Sequence, residues 1–436
     1  MEARGVSLEA ARPPLVHSPR SSLYRGRGAF ESMGAGLAMA PGDVAFKCNL
    51  ASLAREGGGG GEKGGDPATT AAPDPAAHPT PVVAARRAGR DFEVDGPALC
   101  AALDGVVLEG HPGVAVRVRH ATEHRAGVVL SAAGGLSDAV TGTDPLKDGL
   151  RLRACAAVDA SDARANATAA AVDAASAAFR RVLATHPVNA ARIARGVAPA
   201  DALLMRGAGV ALAVRPFLET AGWAGACIAP TRIIKGLTAT LGMDDVTPEG
   251  ATGDYSTDLG AKAAAAAARV AAADANPCSP PAFILLHIKA ADDAGHDRDA
   301  RLKVGWLSAA DAAAAALVAA LTAAPGARRR TILAITADHS TPVDYGDHST
   351  EPVPFAAAEV HAVAAALGGR ALAARAAAAS VRPAAGDPLP PPAPPGAPSP
   401  SFDEVAAAGG CLGRFPGAGV VPLLRALAAA WGGGGR

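Results

Sequence analysis

Phe283-Ile284-Leu285-Leu286-His287-Ile288-Lys289-Ala290-Ala291-Asp292-Asp293-Ala294-Gly295-His296 is an apolar run that turns polar within three residues. Phe283–Ile288 reads as a short strand buried on both faces, as in parallel sheets. Asp292 and His296 stand four residues apart, so a single helical turn puts both on one face. Thr331–Thr336 repeats the pattern, an apolar strand running into Asp338-His339-Ser340-Thr341-Pro342. Asp347-His348-Ser349-Thr350-Glu351-Pro352-Val353-Pro354-Phe355 follows, with His348 nine residues after His339. In open parallel sheets, ligands gather beyond the carboxyl ends of the strands, so separate loops can converge there. Carboxylate oxygen and imidazole nitrogen together suit a hard or borderline divalent ion. Alone, an Asp-His pair such as Asp338-His339 is commonly a turn. His287 reads as a core or supporting histidine, and Asp297, Arg298 and Asp299 as a solvated loop. The joint pattern is what predicts a metal site.

Outward from these loops, strand-like and helical stretches alternate. Val210–Val214 and Ala226–Ala229 read as short buried strands, and Thr231–Leu241 as a helix ended near Gly242. Ser256-Thr257-Asp258 offers an N-cap for an alanine-rich helix reaching about Ala273. Ala309–Ala323 and Glu359–Leu367 read as further helices. This rhythm after about residue 200 predicts an α/β fold, a mainly parallel sheet with helices on both faces. Residues 43–190 differ. Val114–Val118 alternates around Arg117 and Arg119, Ala126–Leu130 is another short strand, and Ala163–Ala184 a helix, which together predict a separate α+β unit. Gly57–Gly61 opens a Gly/Ala/Pro-rich stretch to about Pro81, and Pro383–Pro400 is proline-rich; both read as surface linkers.

Composition narrows the class. A chain of 436 residues suggests about two to three domains. Lys plus Arg and Asp plus Glu both number 41, so no charge excess points to nucleic acid or an anionic membrane. Much of the 50% hydrophobic content is alanine, and aromatics are only 3%, which limits core-forming power. Six scattered cysteines without a CxxC pair read as reduced, buried thiols. No strongly apolar run of about 18 residues predicts a membrane span. Arg4, Arg12, Arg20, Arg25 and Arg27 suggest an organelle transit peptide, which Glu2 and Glu9 oppose; a cytoplasmic location is the expectation.

The metal motifs do not stand alone. Tyr24-Arg25-Gly26-Arg27-Gly28-Ala29-Phe30-Glu31 with Gly34-Ala35-Gly36 precedes Pro41-Gly42-Asp43-Val44-Ala45-Phe46-Lys47-Cys48-Asn49. Ala121-Thr122-Glu123-His124-Arg125, Gly142-Thr143-Asp144-Pro145-Leu146-Lys147-Asp148 and His186-Pro187-Val188-Asn189 follow. Gly250-Ala251-Thr252-Gly253-Asp254-Tyr255 and Leu412-Gly413-Arg414-Phe415 complete the set. With the three loops, these stretches resemble the archaeal-type 2,3-bisphosphoglycerate-independent phosphoglycerate mutases of the alkaline phosphatase superfamily, especially a plant- or algal-like branch. The likeness runs from about residue 24 to the C-terminal end, broken by the low-complexity stretches.

The resemblance implies a phosphatase-type α/β domain interrupted by an inserted α+β domain, with the active site between them. It implies residues 1–40 as a remnant of the N-terminal part, 41–195 as the insert and 196–436 as the metal-binding domain. Two divalent ions, manganese foremost with Mg²⁺, Zn²⁺ or Co²⁺ as competitors, would flank a serine that takes the phosphoryl group from 3-phosphoglycerate and returns it to the 2-hydroxyl. Asp292, His296 and His348 would hold one ion; Asp338 and His339 would hold the second. Lys289, Arg119, His124 and Arg125, with Arg117 in the same basic cluster, would meet the phosphate and carboxylate of this small-molecule substrate. The family's Gly-Ser-Asp nucleophile has no match: Ser7, Ser18, Ser21 and Ser22 lack that setting. The expectation is an absent N-terminal segment and no mutase activity from the chain as written. A phosphatase of the same superfamily and a non-catalytic homologue are the alternatives.

Overall fold

The computed structural model describes residues 26–54, 81–89, 91–276, 278–323, 330–379, 382–384, 407 and 410–432. The four serines above and most of both low-complexity stretches lie outside them. The chain divides into two compact units, Ser18–Val214 with Arg232–Leu241, and Arg215–Thr231 with Gly242–Arg436. The sequence-based boundary at 195/196 thus falls before a strand that belongs to the first unit.

In the first unit β1 (Val44–Leu53) lies between β4 (Arg125–Ala132) and β5 (Ala202–Val210), antiparallel to both. β3 (Val114–Thr122) pairs beyond β4, and β2 (Val83–Ala85) joins the far end of β1. Side chains alternate between sheet faces with a period of two. Val44, Phe46, Cys48 and Leu50 therefore join Val128, Leu130, Leu203 and Met205 on one face. There they bury Leu99 and Leu103 of α2 (Asp95–Leu103) and Val172, Phe179 and Leu183 of α3 (Ala163–Thr185). On the other face Ala45 and Val129 pack with Ala29 of α1 (Gly28–Gly34). α1 lies close against α6 (Arg232–Thr240), because a Cβ at Gly34 or Gly236 would land on the backbone of Arg232 or Phe30. The His186-Pro187-Val188-Asn189 motif is a helix start: His186 Nδ1 accepts from Val188 N at 3.2 Å, and Pro187 opens α4 (Pro187–Ala194). Asn189 then donates to the carbonyls of Leu183 and Ala200, both at 2.8 Å.

The second unit holds a three-stranded parallel sheet in the order β7 (Asp244–Asp245), β6 (Ala224–Ile228), β8 (Ala282–Leu286). A separate antiparallel pair joins β9 (Ile332–Ile335) to β10 (Ala356–Glu359). α7 (Leu259–Ala275), α8 (Ala290–His296) and α9 (Ala300–Ala323) pack around Trp306, Leu302 and Leu259. Val318 of α9 meets Val360 of α10 (Val360–Leu367) and Leu372 of α11 (Gly369–Ala376) in a second cluster.

Four readings need correction. The strand placed at Val210–Val214 is instead β5, ending at Val210, because its pairing with β1 draws in Ala202–Leu204. The parallel arrangement holds for β6, β7 and β8, whereas β9 runs antiparallel to β10. Four cysteines are buried, but Cys278 and Cys411 are exposed. α9 is long and apolar enough in composition to cross a membrane, though Leu302, Trp306, Ala309 and Ala313 pack it as a core helix.

Candidate metal centre

β8 stops at Leu286, and His287 N–H adds one more bond, to Ile228 O at 2.9 Å. The chain then turns into α8, which carries Asp292 and His296 on one face. Asp292 Oδ1 lies 3.4 Å from His296 Nε2 and 3.4 Å from His348 Nε2, and the two imidazole nitrogens are 3.2 Å apart. Donor atoms about 2.1 Å from a shared ion stand about 3.0 to 3.4 Å from one another, for octahedral or tetrahedral geometry. This triangle already has the size of a coordination shell. His339 Nε2 lies 3.3 Å from Asp338 Oδ2, and the His339 ring sits 3.7 Å from the His348 ring, centre to centre. The structure therefore brings all five expected ligands together in the second unit.

Their supports orient them. His296 Nδ1 is 3.1 Å from Gly346 O, so it carries the proton and leaves Nε2 with a lone pair. Thr341 donates its hydroxyl to Asp292 Oδ1 at 2.7 Å, and Thr341 Oγ1 itself lies 3.3 Å from His339 Nδ1, which does the equivalent for that ring. Lys303 donates to Thr341 O at 2.6 Å. Gly295 lets this loop approach, since a Cβ there would press on Thr341. Burial pushes the Asp292 carboxyl up, but Thr341, Lys289 and His296 outweigh it and hold it below the usual range. Burial prevails at Asp293, which is raised despite Lys289. At His287, burial lowers the imidazole's pKa.

Two expectations change. Lys289 spends its ammonium on Asp292 at 3.3 Å and on Asp293. Asp297 and Arg298 are exposed and Asp299 is half-buried, yet all three are engaged, not merely solvated. Asp297 accepts from Tyr255 at 2.8 Å, Arg298 donates to Tyr345 O at 3.0 Å, and Asp299 caps α9 through Leu302 N at 2.9 Å. Thr341 went unassigned in the sequence although it lies inside the Asp338 motif. Asp347, which groups with His296 and His348, was also missed beside its histidine.

The other expected binding residues belong to the first unit. Strand register puts Arg119 opposite Gly127, Gly127 opposite Lys47, Lys47 opposite Arg206 and Arg125 opposite Asn49. Arg119, Arg125, Lys47, Asn49 and Arg206 thus share one sheet face. His124 is buried at the β3–β4 turn, where its carbonyl accepts from Leu50 N at 2.7 Å. Arg117 is taken by Asp43 at 2.8 Å and Ala38 O at 2.7 Å. Asn49 is 1% exposed, and neither atom of its amide has a partner among the described residues. Burial lowers the Lys47 pKa against the pull of Glu31, and Arg125 and Arg206 add to the lowering. Asp144, buried in the Gly142-Thr143-Asp144 motif, takes Arg86 with two 2.7 Å bonds and lies 3.3 Å from Arg206. Lys47, Asn49 and Arg206 carry no motif signal alone; cross-strand pairing makes them a cluster.

Residues 19–189 match a family profile described as 2,3-bisphosphoglycerate-independent phosphoglycerate mutase. A protein of Archaeoglobus fulgidus, named 2,3-bisphosphoglycerate-independent phosphoglycerate mutase 1, is 37% identical over 331 residues, 76% of this chain and 71% of its own. One from Methanopyrus kandleri, with the same name but no number, is 34% identical over 406 residues, 93% of this chain and 80% of its own. Among solved structures, the PH0037 protein of Pyrococcus horikoshii superposes with a TM-score of 0.61 at 23% identity, covering 93% of this chain and 79% of that one, a likeness of fold.

Proposed function

This chain belongs to the family of 2,3-bisphosphoglycerate-independent phosphoglycerate mutases, and from that premise we propose how its residues divide the isomerisation. The family is metal-dependent, and the clustered carboxylates and imidazoles fit a divalent ion of mixed oxygen and nitrogen preference. Two ions are proposed, Mn²⁺ being the choice for this ligand set. Asp292, His296 and His348 hold one; Asp338 and His339 hold the other. The observation that carries the reading is the 3.2–3.4 Å triangle of Asp292, His296 and His348. When bound, such ions neutralise phosphoryl oxygens and activate an attacking hydroxyl.

The chain's own groups do the rest. Lys289 balances the carboxylates of Asp292 and Asp293. Thr341 and Gly346 O fix the imidazole lone pairs on Nε2. In the first unit Lys47, Asn49, Arg119, His124, Arg125 and Arg206 offer cations and an unsatisfied amide to the anionic groups of 3- and 2-phosphoglycerate. Arginine suits both carboxylate and phosphate because its fork donates in pairs. Transfer runs through a phosphoserine, for which no serine is assigned. An alkaline-phosphatase-like arrangement is proposed for the second unit, supported by parallel β6, β7 and β8 with ligand loops following β8 and β9.

Calorimetry with Mn²⁺ on the full chain, beside an assay of 3- to 2-phosphoglycerate conversion, tests the reading. Two ions per chain are expected. His348→Ala should weaken one by about 10- to 100-fold or more and Asp338→Asn the other. Wild-type stoichiometry and affinity in both variants removes the assignment.

A further inference from the structure

α8 has only seven residues and no side-chain cap at its start. Isolated helices shorter than about 12 to 15 residues are marginal in water, so tertiary contacts must hold this one. It nevertheless presents Asp292 and His296 with ligand-quality spacing, which requires positioning to about 0.5 Å. One short stretch, from Tyr255 to Lys262, touches it and the segments that flank it at three places.

Before α8, Lys262 Nζ donates to His287 O at 3.1 Å, where β8 ends. Lys262 is 1% exposed, and no carboxylate pairs with it among the described residues. A buried ammonium without a counter-ion is costly, and that cost goes to a single carbonyl at the start of the metal loop. Beyond α8, Tyr255 donates its hydroxyl to Asp297 Oδ2 at 2.8 Å, and Asp297 is the residue that ends the helix. The Tyr255 ring lies stacked on Trp306 at 6.1 Å and 22°. Between these points Leu259 packs with Ala290 and Ala294 of α8, and Ile288 borders the same cluster.

The stretch is itself rigid. Asp254 accepts from Thr252 at 2.7 Å and from Ser256 N at 2.7 Å, and Asp258 caps α7 through Ala261 N at 2.9 Å. This gives a use to the Gly250–Tyr255 motif.

We propose that Tyr255–Lys262 is a clamp that sets the register of α8, with Tyr255 and Lys262 as positioning residues for the ion held by Asp292, His296 and His348. The inference rests on the ligand assignment above. Its test uses the full chain with Tyr255→Phe, Lys262→Met and the double variant, and Asp292→Asn as reference. Mn²⁺ calorimetry and amide hydrogen exchange of α8 without metal are the readouts. Each single change should weaken one ion by about 10-fold while the other binds as before, in line with outer partners of metal ligands. α8 amides should exchange faster, and saturating Mn²⁺ should return their exchange to the wild-type rate. Tyr255→Phe removes one oxygen, so it carries the test if Lys262→Met does not fold. Loss of an ion in Asp292→Asn, with Tyr255→Phe binding both ions and exchanging like wild type, overturns the clamp alone. Equal weakening of both ions by Tyr255→Phe also overturns it, as a general loss of structure. Unaltered binding in Asp292→Asn sinks the ligand assignment, and the clamp with it.

Discussion

The two units bury charge and apolar surface in opposite ways. In the first, Val44, Phe46, Cys48 and Leu50 are fully enclosed. Among its described residues the fully buried guanidinium of Arg192 is matched by Asp95 at 2.7 Å, Asp91 at 3.0 Å and the face of Phe92. In the second unit β8 and β9 are only half-buried, Leu285 and Ile335 being 37% and 43% exposed, and alanines supply much of the helix packing. Its buried cation, Lys262, meets one carbonyl. The difference teaches that the unit bearing the chemistry is the less self-sufficient. Its carboxylates and imidazoles converge with Lys289 set against Asp292 and Asp293, and the other acidic groups of the cluster, Asp338 and Asp347, add negative charge that favours a bound cation over internal stability.

The largest effect that could break this contrast is a cavity in each core. Phe46→Ala should cost about 3–5 kcal/mol, whereas Leu285→Ala should cost well under about 2 kcal/mol, because more than a third of that residue's surface stays wet. Urea unfolding of each variant checks the pair; equal losses would erase the difference.

Next in size is the response to metal. Trp223, Trp306 and Trp431 all lie in the second unit, so tryptophan fluorescence reports that unit alone. Mn²⁺ at a hundred times its dissociation constant should stabilise the fluorescence-monitored transition by about 2.7 kcal/mol. Amide exchange in β1 and β4 should barely change. A shift confined to the first unit would reverse the argument.

The smallest is a pH effect at Lys262. Burial lowers its pKa from 10.5 to about 8, so between those values the unfolded chain binds more protons than the folded one. Stability should therefore rise with pH through this window, by about 1 kcal/mol across one pH unit near pH 9. Lys262→Met should flatten that rise in Tm. A slope that survives the substitution assigns it to another group.

Much of this architecture was legible in the residues. Asp258 before an alanine-rich run announced α7, and the four-residue spacing of Asp292 and His296 announced their shared face. Each signal was local, set by capping or by helical period. Lys289 reads as a substrate cation from its place after a strand, and the structure adds the carboxylates three and four residues on as its partners. Thr341 and Asn49 were silent. Their significance comes from neighbours tens of residues away, which no periodicity encodes.

By itself the sequence determined which side chains have ligand chemistry, that they follow strands, and which family motifs surround them, because residue type and short-range spacing are properties of the chain. Only the tertiary structure decided that Asp292, His296 and His348 stand 3.2–3.4 Å apart, that Lys47, Asn49 and Arg206 share a face, and that Tyr255 and Lys262 grip both ends of α8. Those facts depend on strand register and packing between distant segments, and a one-residue slip in either would leave the same sequence with a different site.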